Sequence, residues 1–413
     1  MIEWIIWGVS FLSLYIGIFW LHVVLLKEDE KQELKELPFV SIIVPCWNVE
    51  KGLWKTLHSI ANLDYPLEKL EIIIVNHGSK DNTENVAKKF IESHNLNIKL
   101  VKKEREKDHM KAHAFNEGLK YALHKYVACI DADTIVTKES LKNSMKYFDS
   151  DDIGAVISCI KVSQPRNIYE KVQHLEYIFS TFTRRLMSKI DTLQTTHGAL
   201  TVYKKSFFDK YGGFDEKNIT EDFEVAMRMR YQGYRVVLAT DSFTYTYVPN
   251  TFNWFWRQRV RWFRGFLYNN MKYKGMMFKK KYGLLGKFQY PLNMISIGVI
   301  IMMFGLMSYT FIDNVRIFFI KLSSIGMEYF KFYEWSIPTI KQIIYSLNIT
   351  VLFPIIISFI IGLLIYHLAH KNLKEKWRFP FALVCYLTIY PLIRSFQWMN
   401  AFYEEVFKAR KKW

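Results

Sequence analysis

The chain has 413 residues, of which 50% are hydrophobic and 17% aromatic, and its formal net charge at pH 7 is +17. A mean hydropathy of −0.01 beside this apolar content indicates a polar globular part joined to very apolar segments, and the length permits more than one domain. The four cysteines form no CxxC pair, which argues against a disulfide framework and against cysteine metal ligands.

The first predicted element is an apolar run from Trp4 to Leu26 that holds no Lys, Arg, Asp or Glu. A bilayer core of ~30 Å needs about 20 such residues, so the run predicts a transmembrane anchor. A cleaved signal peptide is the alternative. The run is too long for one, with no basic segment before it and no small-residue cleavage site after it.

The segment from Lys27 to Lys287 is mostly polar and alternates strand-like runs with helical patterns. The strand-like runs are FVSIIVPCWN, LEIIIVNHGS, YVACIDADTIV and IGAVISCIKV, and the predicted helices are Lys51–Asn62, Asp81–His94, Lys138–Phe148 and Tyr169–Ile190. Continuous Ile and Val runs are typical of strands buried on both faces, so we predict an α/β fold with a mostly parallel sheet. Ligands of such sheets bind at the carboxyl ends of the strands, where Trp47 and Asn48 follow the first run.

The second strand-like run ends in a tight glycine turn, VNHGS, before a predicted helix. Turns of this kind often hold a nucleotide and usually carry an acid before the glycine to read the base. Here His77 precedes Gly78. A neutral imidazole offers one donor and one acceptor, so His77 can still read a base. The alternative is that His77 only caps the next turn.

The third run ends in DAD, Asp131 to Asp133. Alternate residues of an extended chain point to opposite faces, but a turn at the strand end can bring both carboxylates to one ligand. Carboxylate oxygens suit Mg²⁺ or Mn²⁺, and such ions commonly bridge to substrate phosphates. We therefore predict a divalent metal site here.

Two further motifs follow at TED, Thr220 to Asp222, and at QRVRW, Gln258 to Trp262. An N-cap with acids in the first turn would explain TED by helix formation alone. An amphipathic helix at the membrane interface would explain the aromatic and basic character around QRVRW.

Between residues 242 and 287 the chain has ten Lys or Arg and no acid. Basic residues beside a membrane span prefer the cytoplasm, so we expect a cytosolic globular part in a multi-pass plasma-membrane protein. Because this charge lies beside an apolar segment, anionic lipid headgroups or phosphates are the expected partners rather than nucleic acid.

Three more apolar segments follow, at Pro291–Ile312, Ile343–Ala369 and Phe379–Phe402. The last is the weakest because it holds Pro391 and Arg394. If it spans the membrane, the basic C-terminal tail lies outside, against the positive-inside tendency. If it lies at the interface, the tail stays inside. Both arrangements remain open.

The order of these motifs resembles that of the membrane-embedded family 2 glycosyltransferases, which include cellulose, hyaluronan and poly-N-acetylglucosamine synthases. The resemblance covers roughly residues 1 to 290 and is greatest to the poly-N-acetylglucosamine type, through the Lys-Ala helix start at HMKAHAFNEG and the segment ITED. It implies a GT-A-like domain and a single-displacement, inverting reaction. The chain departs from the family pattern at His77 and Asn76, where acids are usual, and at Val49, which replaces a frequent Glu.

The resemblance also implies roles for individual residues. Those implied to bind the nucleotide sugar are Trp47, Asn48, His77, Gly78, Lys111, Asp131, Arg259 and Arg261. Those implied to bind the acceptor are His197, Gly198, Gln258 and Trp262. Asp222, beside Glu221, would be the general base, while Asp133 with Asp131 would hold the metal ion.

We therefore predict a membrane-integrated glycosyltransferase that uses a nucleotide sugar, with a UDP-sugar as the expected donor, and that elongates and exports a polysaccharide. Transfer of one sugar to a lipid or polyprenyl phosphate is the second hypothesis, and a catalytically dead scaffold is the third. The predicted domains are an anchor at 1–30, a cytosolic GT-A domain at 38–250, interfacial helices at 251–287 and a transmembrane region at 288–413.

Overall fold

The computed structural model describes residues 2–27, 31, 33–105, 111–332 and 349–407. The chain divides into two compact units. One comprises the described residues of Met1–Leu26 and Leu292–Asn372, and the other those of Lys27–Pro291 and Leu373–Trp413.

The described strands are β1 Val40–Cys46, β2 Leu70–His77, β3 Ile98–Lys103, β4 Tyr126–Cys129, β5 Thr134–Val136, β6 Ile153–Val162, β7 Thr201–Lys204 and β8 Arg235–Thr246. The described helices are α1 Ile2–Leu25, α2 Glu50–Ala61, α3 Thr83–Ser93, α4 Lys111–Tyr121, α5 Ser140–Met145, α6 Ile168–Lys189, α7 Lys205–Tyr211, α8 Glu221–Tyr231, α9 Phe252–Lys272, α10 Tyr290–Ile325, α11 Tyr329–Phe332, α12 Ile349–Asn372 and α13 Pro380–Val406.

The eight strands form one sheet in the order β3-β2-β1-β4-β7-β6-β8-β5. Strand β1 pairs in parallel with β2 and β4, β2 with β3, and β6 with β8, whereas β7 runs antiparallel to both β4 and β6, and β5 to β8. Every residue of β1 and β2 is buried, as their continuous Ile and Val runs require. The predicted α/β fold with a mostly parallel sheet is confirmed.

The predicted helices of the globular unit correspond to α2, α3, α5 and α6 with small shifts at their ends. The largest shift is in α5, which ends at Met145 rather than Phe148. The chain continues there in tighter turns, with Phe148 N donating to Met145 O at 3.2 Å. Helix α6 begins with a capping box in which Asn167 accepts from the Glu170 backbone and Glu170 accepts in return.

Three described helical stretches are long and apolar enough to cross a membrane, at Trp4–Leu25, Leu285–Glu328 and Phe353–Asn372. They correspond to the first three predicted apolar segments, although residues 343–348 of the third lie outside the described residues. Within the apolar unit α1 packs against α12, where Gly17 lies beside the Ile361 side chain. The small Gly17 allows this close approach of the two helices.

Helix α13, which covers the fourth predicted segment, packs on α9 and α6 within the globular unit. The Phe263 and Trp398 rings stack with centroids 4.2 Å apart, and Arg264 Nη1 lies 2.7 Å from Glu404 Oε2. It is not one of the three described stretches that can cross a membrane by length and composition.

Candidate active site

The loops after β1 and β2 are joined through Asn48, the residue at which the first strand-like run ends. Asn48 Oδ1 accepts from Lys80 N at 2.8 Å, and Asn48 N donates to Ser79 Oγ at 3.1 Å. Its backbone has φ 53°, a conformation that Asn tolerates better than most residues. Asn48 therefore shapes the turn that a nucleotide would contact.

Trp47 precedes this residue and is 43% exposed, so a nucleobase can reach its ring. The Arg105 guanidinium carbon lies 3.6 Å from the Trp47 ring centroid, a cation–π contact that orients the indole. Arg105 also explains the glycine of the second turn. Gly78 has φ 64°, and a Cβ there would lie 2.9 Å from Arg105 N.

His77 lies at the end of β2 and is only 1% exposed. Its ring is stacked with that of His113, with centroids 6.2 Å apart, and His113 Nε2 lies 3.2 Å from Glu216 Oε2. The next turn is capped by Asn76, whose Oδ1 accepts from Ser79 N at 3.2 Å. The base contact of His77 stays a prediction, and its burial favours a supporting role behind the site.

Lys111, Asp131 and Gly198 converge at the carboxyl end of β4. Lys111 is the first residue of α4, and its Nζ is paired with Asp131 Oδ1. Asp131 N donates to Gly198 O at 2.8 Å, and a Cβ at Gly198 would overlap the Asp131 carboxylate. Gly198 ends the segment Thr196–His197–Gly198, which we call the THG turn, and it is therefore required for close packing on the first acid of DAD.

Asp133 is exposed to solvent, although the surrounding protein atoms still desolvate its carboxylate in part. This desolvation, followed by the negative charge of Asp131, raises the pKa of Asp133 above its usual value, and the positive charge of Lys111 opposes the rise. Water that reaches the carboxylate screens these charges in part.

One carboxylate of DAD is thus paired with a lysine while the other is open. Carboxylate oxygens are hard donors, and a carboxylate whose pKa is raised by a neighbouring negative charge favours the binding of a divalent cation. Among the described residues no group of three or more His, Cys, Asp or Glu is arranged to hold a metal ion, so an ion here needs further ligands from substrate or water.

The acid pair Glu221 and Asp222 opens α8. Glu221 is buried, and burial followed by the charge of Asp222 raises its pKa to about 7, against the effect of Lys111 and Arg261. Burial also raises the pKa of Asp222, and the same two cations oppose the rise. Four motifs distant in sequence, the Lys-Ala helix, DAD, TED and QRVRW, therefore meet in one electrostatic cluster.

The two arginines of QRVRW have different surroundings. Arg261 Nη1 donates to Ile219 O at 3.0 Å, two residues before the acid pair begins at Glu221. Arg259 is fully buried, and its Nη2 lies 2.5 Å from Glu176 Oε2 on α6. The guanidinium of Arg259 lies 4.3 Å from the Trp262 ring centroid and donates to Gln258 Oε1 at 2.6 Å. Only Arg261 is brought beside the acids, and the predicted contact of Arg259 with diphosphate stays a prediction.

The predicted acceptor residue His197 is buried, with its Nε2 2.9 Å from Ser158 O. Burial, then the charge of Arg184, lowers the pKa of His197 to about 3, so the ring is neutral at physiological pH. The side chain supports the THG turn from behind, which leaves Gly198 as the residue that packs on Asp131.

Two residues of α6, Tyr177 and Arg184, belong to this region but were not predicted from the sequence. Burial raises the pKa of Tyr177, and Asp133 is among the charges that add to the rise. Burial lowers the pKa of Arg184, and Tyr177 and Asp222 oppose that fall. Tyr177 therefore lies within electrostatic reach of the predicted metal ligand Asp133, and Arg184 lies within reach of the predicted base Asp222. Their sequence context carries no signal that separates them from other residues of an amphipathic helix.

Comparison with known proteins assigns the chain to a family. Residues 38–265 match the family model described as "Glycosyltransferase like family 2". Since the match covers more than half of the 413 residues, the chain belongs to the family 2 glycosyltransferases. The resemblance inferred from the motifs is thereby confirmed.

Within this family, the chain is similar to proteins named as polysaccharide synthases. The chain is 33% identical over 237 residues to a poly-beta-1,6-N-acetyl-D-glucosamine synthase of Staphylococcus epidermidis, covering 57% of this chain and 56% of the relative. It is also 33% identical over 232 residues to that synthase of Staphylococcus aureus (strain COL), covering 56% and 55%. The matched segment spans only about half the length of these relatives.

The mannosyltransferase PcManGT from Pyrobaculum calidifontis, solved in complex with GDP-Man and Mn²⁺, superposes with a TM-score of 0.60 at 19% identity, covering 99% of this chain and 100% of that one. This likeness shows a shared GT-A glycosyltransferase fold.

Proposed function

We propose that the protein is a membrane-integrated, inverting glycosyltransferase that takes a UDP-sugar and elongates a glycan. The observation that carries the proposal is the convergence of Lys111, Asp131, the acid pair at 221–222 and Arg261 at one edge of the sheet. Cations and acids placed together in this way match the two demands of the reaction. One is a base for the acceptor, and the other is positive charge for the leaving group.

In this mechanism the Asp222 carboxylate takes the proton of the acceptor hydroxyl as its oxygen bonds to the anomeric carbon of the donor. The bond from that carbon to the diphosphate oxygen breaks in the same displacement, and the configuration inverts. Lys111 and Arg261 stabilise the negative charge that develops on the departing diphosphate. They also oppose the rise that burial causes in the pKa of Asp222, which favours the ionised form of the base.

Asp133, with Asp131, would hold Mg²⁺ or Mn²⁺, and a bound ion supplies further positive charge for the diphosphate. The open Asp133 carboxylate next to the lysine-paired Asp131 supports this assignment. Trp47 would stack on the base of the donor, while Gln258, Trp262 and the THG turn would line the acceptor path.

N-acetylglucosamine is the first sugar to test, because relatives at 33% identity bear the name of poly-beta-1,6-N-acetyl-D-glucosamine synthase. Elongation coupled to export through the membrane is supported by the three stretches able to span a bilayer. In this view residues 1–30 are an anchor and 38–250 the cytosolic catalytic domain, followed by interfacial helices at 251–287 and a membrane region from 288.

The full chain, purified and placed in lipid nanodiscs, should be tested against a panel of UDP- and GDP-sugars. Release of nucleoside diphosphate and the size of the product are measured together. A long polymer from a UDP-sugar is the expected result. A single sugar on a lipid acceptor would replace elongation by the second hypothesis, and failure with every donor would contradict the proposal.

A further inference from the structure

One face of α9 contacts residues 218–220, the three residues that precede the acid pair. Arg261, Gly265 and Asn269 are spaced four apart, so they lie on the same side of the helix. Arg261 Nη1 donates to Ile219 O at 3.0 Å. A Cβ at Gly265 would overlap the Thr220 side chain, so the helix backbone and Thr220 are in direct contact.

Asn269 completes this contact through a reciprocal amide pair. Asn218 Nδ2 donates to Asn269 Oδ1 at 2.8 Å, and Asn269 Nδ2 donates to Asn218 Oδ1 at 3.3 Å and to Thr220 Oγ1 at 3.1 Å. Asn269 is 0% exposed and Asn218 is 1% exposed. We call Asn218, Thr220, Gly265 and Asn269 the polar clasp.

The clasp also decides where the Thr220 hydroxyl points. Thr220 is the N-cap residue of α8, but its side chain makes no cap hydrogen bond. Its hydroxyl donates to Asn218 Oδ1 at 3.2 Å and accepts from Asn269. The Thr220 hydroxyl therefore bonds to Asn218 and to Asn269 of α9 rather than to the backbone of α8. The N-cap interpretation of the sequence did not predict these partners.

A buried polar network of this kind is costly if one member is displaced, because each unpaired group then loses its hydrogen bond without gaining water. A hydrophobic contact would tolerate sliding of α9 along α8, whereas the clasp allows one relative placement. The residues it fixes are Arg261 on one side and the acid pair on the other.

We propose that the polar clasp positions the carboxylate of Asp222 relative to Arg261, so that the base and the charge stabiliser of the transfer reaction are held as one unit. This inference rests on the proposed function, in which Asp222 is the base. Asn269, Asn218 and Thr220 act through Asp222 and are positioning residues. A misplacement of about 1 Å in such a site can lower turnover ~100-fold.

The test uses the full chain in nanodiscs with the donor that supports turnover. Thr220→Val removes the hydroxyl but keeps the branched shape against Gly265, while Thr220→Ser keeps the hydroxyl. Asn269→Ala removes the amide pair. Asn270→Ala is the matched control, because Asn270 is equally buried on the same helix but donates to Phe266 O at 2.8 Å within α9.

Turnover of Asn269→Ala should fall roughly 10- to 100-fold with donor KM little changed, and Thr220→Val should fall by a smaller factor that Thr220→Ser restores. The acid limb of the kcat profile should move to higher pH in both, because greater separation from Arg261 removes a charge that lowers the Asp222 pKa. Asn270→Ala should lower the melting temperature without moving that limb.

Asp222→Asn, measured in the same series, separates this inference from the proposed function. Normal turnover of Asp222→Asn would overturn both. Inactive Asp222→Asn, together with Asn269→Ala and Thr220→Val profiles that match Asn270→Ala, would overturn the clasp alone. If Asn269→Ala does not fold, the Thr220→Val and Thr220→Ser pair decides.

Discussion

Lys111, the first residue of α4, is paired through its Nζ with Asp131 at the end of β4. Burial alone would lower the pKa of Lys111, but the charges of Asp131, Glu221 and Asp222 outweigh it and raise that pKa above its usual value. One cation thus serves two acidic motifs about 90 residues apart in sequence.

Replacing this cation should affect both motifs. Lys111→Met should lower turnover about 100- to 1,000-fold, because charge on the departing diphosphate loses a stabilising partner. The acid limb of any residual activity should move to higher pH, since Lys111 lowers the pKa of Asp222. Steady-state kinetics across pH measure both effects. Lys120→Met on the exposed face of the same helix is the control, and equal kinetics of the two variants would contradict the assignment.

Asp133→Asn tests the metal site. Removing the open carboxylate should weaken divalent-ion binding and lower transfer by about 100- to 1,000-fold. EDTA should abolish wild-type transfer, and Mn²⁺ or Mg²⁺ should restore it. Asp209→Asn, at an exposed position on α7, should behave like wild type. Full activity of Asp133→Asn, or of wild type in EDTA, would show that the metal role is wrong.

Glu221 makes stability depend on pH. Its pKa is raised from 4.5 to about 7 in the folded protein, chiefly by burial and then by Asp222, so the folded state binds the proton more tightly than the unfolded state. The stabilising contribution is therefore full below about pH 4.5 and is lost as pH rises through 7. The melting temperature of wild type should fall across this range relative to that of Glu221→Gln. Parallel curves for the two proteins would refute the shift.

Binding of uridine distinguishes Trp47 from His77. Trp47→Ala should weaken uridine binding by about 1–3 kcal/mol through lost stacking. Because His77 is buried, His77→Ala should chiefly lower the melting temperature. The free energy of uridine binding should change by less than the contribution of one hydrogen bond, ~0.5–1.5 kcal/mol. Calorimetry from pH 5.5 to 8 provides the measurement. A larger loss in His77→Ala that shrinks as pH falls, because protonation of His77 removes its acceptor lone pair in wild type, would instead support direct reading of the base.

The sheet was predictable because β1 and β2 are continuous apolar runs, and only strands covered on both faces tolerate such runs. The clustering of the residues that follow these strands was predictable as well, because neighbouring parallel strands bring their carboxyl ends to the same edge of the sheet. The antiparallel β7 was not predicted, because its four residues are too short to give a periodic signal.

Side-chain partners escaped prediction where they depend on tertiary packing. Arg259 and Arg261 differ by two positions in one motif, yet one is buried against Glu176 and the other contacts the backbone before the acid pair. The Asn218–Asn269 pair joins residues 51 positions apart, and Asn at either position is unremarkable in sequence. The stacking of His77 on His113 likewise depends on tertiary packing, and no local pattern encodes it.

The central claim is that Asp222 is the base of a UDP-sugar transfer reaction, and donor binding measured together with transfer in Asp222→Asn tests it most directly. We expect the variant to bind the UDP-sugar with wild-type affinity and to transfer no sugar to the acceptor, because the lost group acts on the acceptor side. Normal turnover with a slightly lower melting temperature would contradict the claim and would leave Asp222 as a residue of the helix start alone.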